Sequence, residues 1–530
     1  MKLHILVTLG LLALLPAATL PSTTGYAQAP SDQIRNERPL PRRPGTLHEP
    51  RRLFTNNPAG EAPPRAVPMD PAVLRRRTTR IDSDVLESIR RGRGEAVRFN
   101  LFEDTFFDGI IEKTEMRSPD SYSHLGRLVG DDGASFILTV ERDVMVAAAR
   151  SPREGLYHVR FLDGDLYEIV EIDEDKLPPC DVGPGDVAAP AAGDPHGDLA
   201  SFSQTTADDG SIFDVLVVYT ADARDGAGGT TAMEALINQA VDETNFAYTE
   251  SQITPRLRLA HTNLISYTET GDSSTDLNRL RGKTDGFMDS VHDLRETRGA
   301  DLVCLIVESM PDACGRAYVM TTLSAGFESY AFSVVKRSCI GSTYVFAHEL
   351  GHNMGCHHAV GDGDPPTARG DGLYDYSHGW RWTWHGANQY RTIMAYSPGT
   401  RVPHFSNPNV FYSGDPTGRE DLEDNARSIN NAAFTVANWR LAILGDVDGN
   451  GIVDGLDLTA VLTAWETIPG DPLWNPAADL DGNGIVDGLD LTAVISNWTT
   501  AVAGPPAASE PTATVKPHRR GSHRGNVRRK

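Results

Sequence analysis

Residues 348–358 read HELGHNMGCHH. His348 and His352 are four apart, so they share one face of a helix. From that face both imidazoles can reach one Zn²⁺ at about 2.0–2.1 Å. Glu349, next to the first histidine, can hold a water at the metal. Gly355 permits the left-handed backbone that ends a helix and turns the chain. The turn returns His358 as a third nitrogen ligand, so every fixed position of HExxHxxGxxH is filled. His357 lies one residue short of that spacing and is read as a neighbour of the site. Three neutral imidazoles leave one position open on a single catalytic Zn²⁺, and water there drops toward a pKa of about 7. Glu349 would take its proton as the water attacks a scissile carbonyl, and later protonate the leaving amine. The implied reaction is peptide-bond hydrolysis, with proteins or peptides as substrates.

Two further patterns carry chemistry. Asp446, Asp448, Asn450, Asp454 and Asp457 fill positions 1, 3, 5, 9 and 12 of a twelve-residue loop. Gly451 stands where a sharp turn is needed, and Ile452 offers its carbonyl. Asp479, Asp481, Asn483, Ile485, Asp487 and Asp490 repeat the arrangement 33 residues later. Hard oxygen ligands at this spacing suit two structural Ca²⁺ ions. Cys180, in KLPPCD, is the odd member of five cysteines, and its thiolate is a candidate for the open zinc position. Cys314–Cys339 and Cys304–Cys356 are the favoured disulfides among three possible pairings.

With HELGHNMGCHH, the segment TIMAYSPG around Met394 and FSNPNVFYSG farther on, residues 212–440 resemble the metzincin zinc endopeptidases. Among these, the reprolysin-like (adamalysin-related) bacterial secreted branch is the nearer likeness. The resemblance implies that Met394 forms an apolar floor beneath the histidines. It also implies that Tyr396 is a loose metal ligand able to swing to the oxyanion, a role borrowed from the astacin and serralysin branches. An acidic residue usually follows the third histidine in reprolysins, and here it is Ala359. The strand within CGRAYVMTTLS would pair with an extended substrate. Cys180 resembles the cysteine switch of metzincin zymogens, which makes the preceding β-rich segment a prodomain. The acidic repeat resembles a dockerin-type module, although position 12 is Asp and no helix precedes either loop. That likeness implies a cohesin-like protein partner.

The elements that must position these residues follow from hydropathy patterning. Residues 1–27 read as a signal peptide, with an apolar run at 5–15 too short to span a bilayer. No other run is long and apolar enough for a membrane span, so the mature protein is expected to be secreted, in a compartment that permits disulfides. Residues 28–95 form a Pro/Arg-rich leader, 96–180 a small β prodomain of short alternating strands, and 181–210 a linker. From 211 to 440, apolar strands alternate with longer helical patterns. This predicts an α/β (α+β) catalytic domain, with a mostly parallel twisted sheet and a zinc helix. Residues 441–499 form a small α module built on the calcium loops, and 500–530 a disordered basic tail. The 530 residues carry 49 Lys and Arg against 72 Asp and Glu, a net −23 that argues against nucleic acid. The reading is a secreted zinc endopeptidase made as a latent zymogen. The alternative is a catalytically silent binding or adhesion protein of the same fold, anchored through the repeat.

Overall fold

A computed structural model describes residues 50–56, 70–131, 133–182, 187–188, 209–384, 388–440, 445–448, 452–468, 471–480 and 484–498. The expected signal peptide and basic tail lie outside these. Among the described residues no helix is long and apolar enough to cross a membrane.

The N-terminal part is a nine-stranded antiparallel sheet. From Ala96–Asn100 to Leu166–Ile172, each strand pairs with the next. Leu166–Ile172 also pairs with Val73–Ile81, which holds Phe54–Asn56 at the edge. The sheet therefore begins inside the segment read as an unpacked leader. Val73–Ile81 (VLRRRTTRI) hides its strand character because arginines stand where an apolar face is expected. Those arginines are answered across the sheet. Arg75 pairs with Glu171 and, at 2.7 Å, with Asp104, and its guanidinium lies 4.1 Å from the centre of the Phe102 ring.

Val144–Ser151 is buried along its whole length. Met145, Ala147 and Ala149 point into the sheet's own core with Phe99, Phe136 and Tyr157. Val144 and Val146 join the protease core instead, and Ala148 packs with Leu125, Ile137 and Phe246. Alternate side chains of one strand thus serve two cores, which is why VMVAAA contains no polar position.

In the protease domain, Arg256–Leu264, Ile212–Tyr219, Leu302–Val307 and Phe332–Lys336 lie side by side in that order, all parallel. Gly315–Ala317 is antiparallel on the outer edge of Phe332–Lys336. Leu302–Val307 is wholly apolar and wholly buried, as a central strand covered on both faces must be. The helix Thr230–Glu250 starts after Gly229, at φ 123°, without a side-chain cap. The helical pattern 273–298 is broken into Ser273–Arg281 and Ser290–Thr297. Val345–Asn353, carrying the first two histidines, is buried throughout.

Cys314 and Cys339 form a disulfide that ties the edge strand to the turn before this helix. The expected Cys304–Cys356 bond is not formed, and both thiols are free and buried. Cys304 sits in the central strand. Cys356 follows the zinc helix, with its thiol directed at the Asn425 carbonyl oxygen, 3.7 Å away. Cysteine parity assigned these two to each other only because they remained.

Candidate active site

Gly355 has φ 88°, the left-handed conformation that ends the helix. A side chain there would meet Leu373 at 2.5 Å, so glycine also lets the returning chain close in. The result brings three Nε2 atoms together. His348 and His358 are 3.1 Å apart, His352 and His348 3.1 Å, and His352 and His358 3.0 Å. A tetrahedron with metal–nitrogen bonds of about 2.0–2.1 Å has an edge of roughly 3.3 Å, close to this triangle.

His348 Nδ1 donates to the Ile393 carbonyl and His352 Nδ1 to the Cys356 carbonyl, each at 2.8 Å. A carbonyl can only accept, so in both rings the lone pair is left on Nε2, facing the centre. Burial disfavours the protonated form of all three, taking His352 down to about 3. Converging, neutral, buried imidazoles fit zinc.

Glu349 is fully buried, and neither carboxylate oxygen has a hydrogen-bond partner. Burial pushes its pKa up to about 8, with the Cys180 thiol, Arg316 and Arg401 pulling the other way. Gly315 lies against this carboxylate, since a Cβ there would stand 2.3 Å from Oε1. Met394 is fully buried beneath the zinc helix, where a Cβ on Gly351 would come 3.0 Å from its sulfur. The Tyr396 ring lies 4.2 Å from that of His358, centre to centre, and its backbone N–H donates to Asp362 at 2.8 Å. His357 stays outside the triangle, its Nδ1 accepting from the His358 backbone N–H.

The segment around Cys180 occupies the same place. Ligand atoms of Cys180, His348 and Glu349 lie within 4.8 Å of one another. Burial, then Glu349, raises the thiol's pKa well above its ordinary value. The Tyr396 hydroxyl donates to the Cys180 carbonyl. On either side the chain follows the edge strand: Cys314 N–H donates to Pro179, Asp181 N–H donates to Gly315, and Asp181 pairs with Arg316. Asp181 and Arg316 form a parallel bridge, and Val187–Ala188 pairs in parallel with Val319–Met320.

Sequence reasoning missed Gly315, Arg316 and a buried trio of Glu174, Arg391 and Arg401 beside the Cys180 segment. Gly315 and Arg316 stand in the edge strand already singled out, yet only their neighbours in space give them meaning. Nothing in the sequence ties Glu174 to arginines more than two hundred residues away.

In the C-terminal module, Asp446, Asp448 and Asp457 place ligand oxygens within 4.8 Å of one another. Asp457 and Asp490 are fully buried at the starts of helices Gly455–Thr463 and Gly488–Ser496, where each completes a reciprocal cap with Asp454 or Asp487. Ile452, Asp479 and Ile485 lie in the described parts of the loops, whereas Asn450, Asp481 and Asn483 lie outside the described residues.

Comparison with known proteins agrees with this chemistry. Residues 209–406 match a family model described as metallo-peptidase family M12, and residues 444–497 match the dockerin type I domain. A peptidyl-Asp metalloendopeptidase of Stenotrophomonas maltophilia is 34% identical over 340 residues, covering 63% of this chain and 77% of that protein. A protein of the same name from Xanthomonas campestris pv. campestris is 35% identical over 289 residues, 54% of this chain and 65% of its own. Metalloproteinase-II from Bacteroides fragilis, a solved structure, overlaps at a TM-score of 0.34 with 12% identity, covering 61% of this chain and 91% of that one.

Proposed function

The chain belongs to metallo-peptidase family M12 and is a metalloendopeptidase, and from that premise we propose a secreted, latent zinc enzyme that cuts proteins beside aspartate. His348, His352 and His358 would hold the single zinc. The observation that carries this reading is the triangle of Nε2 atoms beside a buried carboxylate with no partner. Bound zinc supplies Lewis acidity toward water and toward a carbonyl.

The protein's own groups then act on the proton and the peptide. Glu349 takes a proton from the attacking water and delivers it to the departing amine, a role open to a buried carboxylate with no hydrogen-bond partner of its own. Gly315–Ala317 offers backbone groups to an extended chain, and Gly315 lets that chain approach Glu349. The Tyr396 hydroxyl, once released from Cys180, can donate to the developing oxyanion. The choice of aspartate follows the name that the relatives carry.

Latency is supported by Pro179 and Asp181, which bond to the chain at Cys314–Arg316 where substrate would lie, by Val187–Ala188 beside Val319–Met320, and by Cys180 at the histidines. Export is supported by the N-terminal apolar run. The dockerin module would bind two Ca²⁺ and dock a cohesin-like protein. In support, its helices repeat an exposed apolar set, Leu456, Leu462 and Trp465 against Leu489, Ile495 and Trp498. Zinc analysis with casein cleavage tests the whole reading. The matured protein should hold stoichiometric zinc, and Cys180→Ser should raise cleavage by the unprocessed chain. A matured protein without zinc defeats the proposal, and an unaltered Cys180→Ser chain defeats its latency.

A further inference from the structure

Between the first turn of the zinc helix and the loop after Met394 lies a cavity of about 250 Å³. Its lining includes Cys180 and Tyr396, which also stand against the metal-binding histidines. Its charged lining divides cleanly by origin. The anions, Glu174 and Asp175, come from the turn that follows the N-terminal sheet. The cations, Arg391 and Arg401, come from the protease domain.

Glu174 is held there as an ion pair. Its two oxygens accept from Arg150, of the N-terminal sheet, at 2.8 Å and from Arg391 at 3.4 Å. Although burial opposes ionisation, Arg150 and Arg391, and then Arg401, bring its pKa down to about 2. The protease arginines are fixed by their own domain. Arg391 donates to the carbonyls of Gly399 at 2.6 Å and Ala395 at 3.0 Å, and Arg401 to that of Thr343 at 2.5 Å. Arg401 Nε is buried with no partner. Departure of the N-terminal part would take both anions and Arg150 away together. Two buried cations would remain beside the catalytic carboxylate, in a cavity of side-chain size.

We propose that Arg391 and Arg401 form the pocket that reads an acidic substrate side chain next to the cleaved bond, and that Glu174 fills this pocket in the latent chain. The inference deepens, and rests on, the latency reading above. Charge is what such a pocket can discriminate, because a neutral amide of the same shape leaves a buried cation without its counter-ion. Asp181 and Arg316 are the competing pair, but the Asp181 side chain is 49% exposed against 15% for Glu174.

The test compares matched peptides carrying Asp or Asn on either side of the cleaved bond, using the zinc-loaded enzyme matured from the full chain by proteolytic processing. The parent should favour Asp in kcat/KM by about tenfold or more. Arg391→Gln and Arg401→Gln should bring the ratio toward one, and Arg401→Lys should keep most of it. Equal cleavage by the parent overturns the proposal, as does a preference that survives both glutamine variants or is lost only in Arg316→Gln.

A second arm does not depend on the fold of those variants or on activity. In the metal-free full chain with Cys180 intact, Glu174→Gln should speed alkylation of Cys180 several-fold, followed by peptide mass. An unchanged rate counts against Glu174 as the plug. Latency is judged separately, by casein cleavage of Cys180→Ser against the natural chain, so either reading can fail while the other stands.

Discussion

The Glu349 carboxylate has no hydrogen-bond partner and no route to solvent. A buried acid in that condition is costly unless something else uses it. Glu349→Ala should therefore keep stoichiometric metal, by elemental analysis, while kcat/KM on a peptide falls by about 10²–10⁴-fold. His352→Ala should lose the metal itself. Gly315→Ala is the sharper test of geometry. Its new methyl would lie 2.3 Å from Glu349 Oε1, so activity should fall about a hundredfold with metal content unchanged. The histidines and Glu349 were legible because a helix and one turn fix their spacing. Gly315 was not, because its contribution is a missing side chain opposite a residue on another element.

The mostly parallel sheet of the protease domain was legible for a similar local reason. Runs such as LVCLIV are too apolar to lie anywhere but the middle of a covered sheet. The polar residues of Thr230–Glu250 carry no such signal, because their pattern is that of a helix half in water. Instead Asn238, Gln239, Asp242 and Glu243 are all buried. Asp242 pairs with Arg117 of the N-terminal sheet at 2.7 Å, and Asn238 donates to Glu141 at 3.0 Å. The partners lie 125 and 97 residues upstream, where no periodicity reports them. Arg117→Ala should loosen this docking by about 2–3 kcal/mol, read as earlier hydrogen exchange in the helix under denaturant. The Cys314–Cys339 bond closes a loop of 25 residues. Its reduction should cost about 3 kcal/mol in a denaturant melt of the whole chain.

Two buried carboxylates set opposite pH limits on the assembled molecule. Glu174 has a folded pKa of about 2, below its unfolded value of 4.5, so the stability it contributes is present above 4.5 and lost as pH falls toward 2. The shift corresponds to about 3 kcal/mol. Glu243 is raised by burial to about 7, so its contribution is complete below 4.5 and lost as pH climbs to 7. Melting temperature measured from pH 2 to 8 should fall at both ends. Glu174→Gln should flatten the acid limb and Glu243→Gln the neutral one. The dockerin module, by contrast, has among its described residues a core of eight buried apolar side chains, too few for independent stability without its ions. Withdrawing Ca²⁺ at fixed Zn²⁺ should unfold its two helices, by exchange mass spectrometry, and leave peptide cleavage by the matured enzyme intact. The helix Thr230–Glu250 joins these scales. Its middle turns are buried on every side, and a cut that freed the N-terminal sheet would leave its carboxylate flank to the solvent. The liberated enzyme would be a different solute from its parent, wetter and more anionic along one ridge. Once melted it would have to refold without Arg117, which pairs with Asp242 on that ridge.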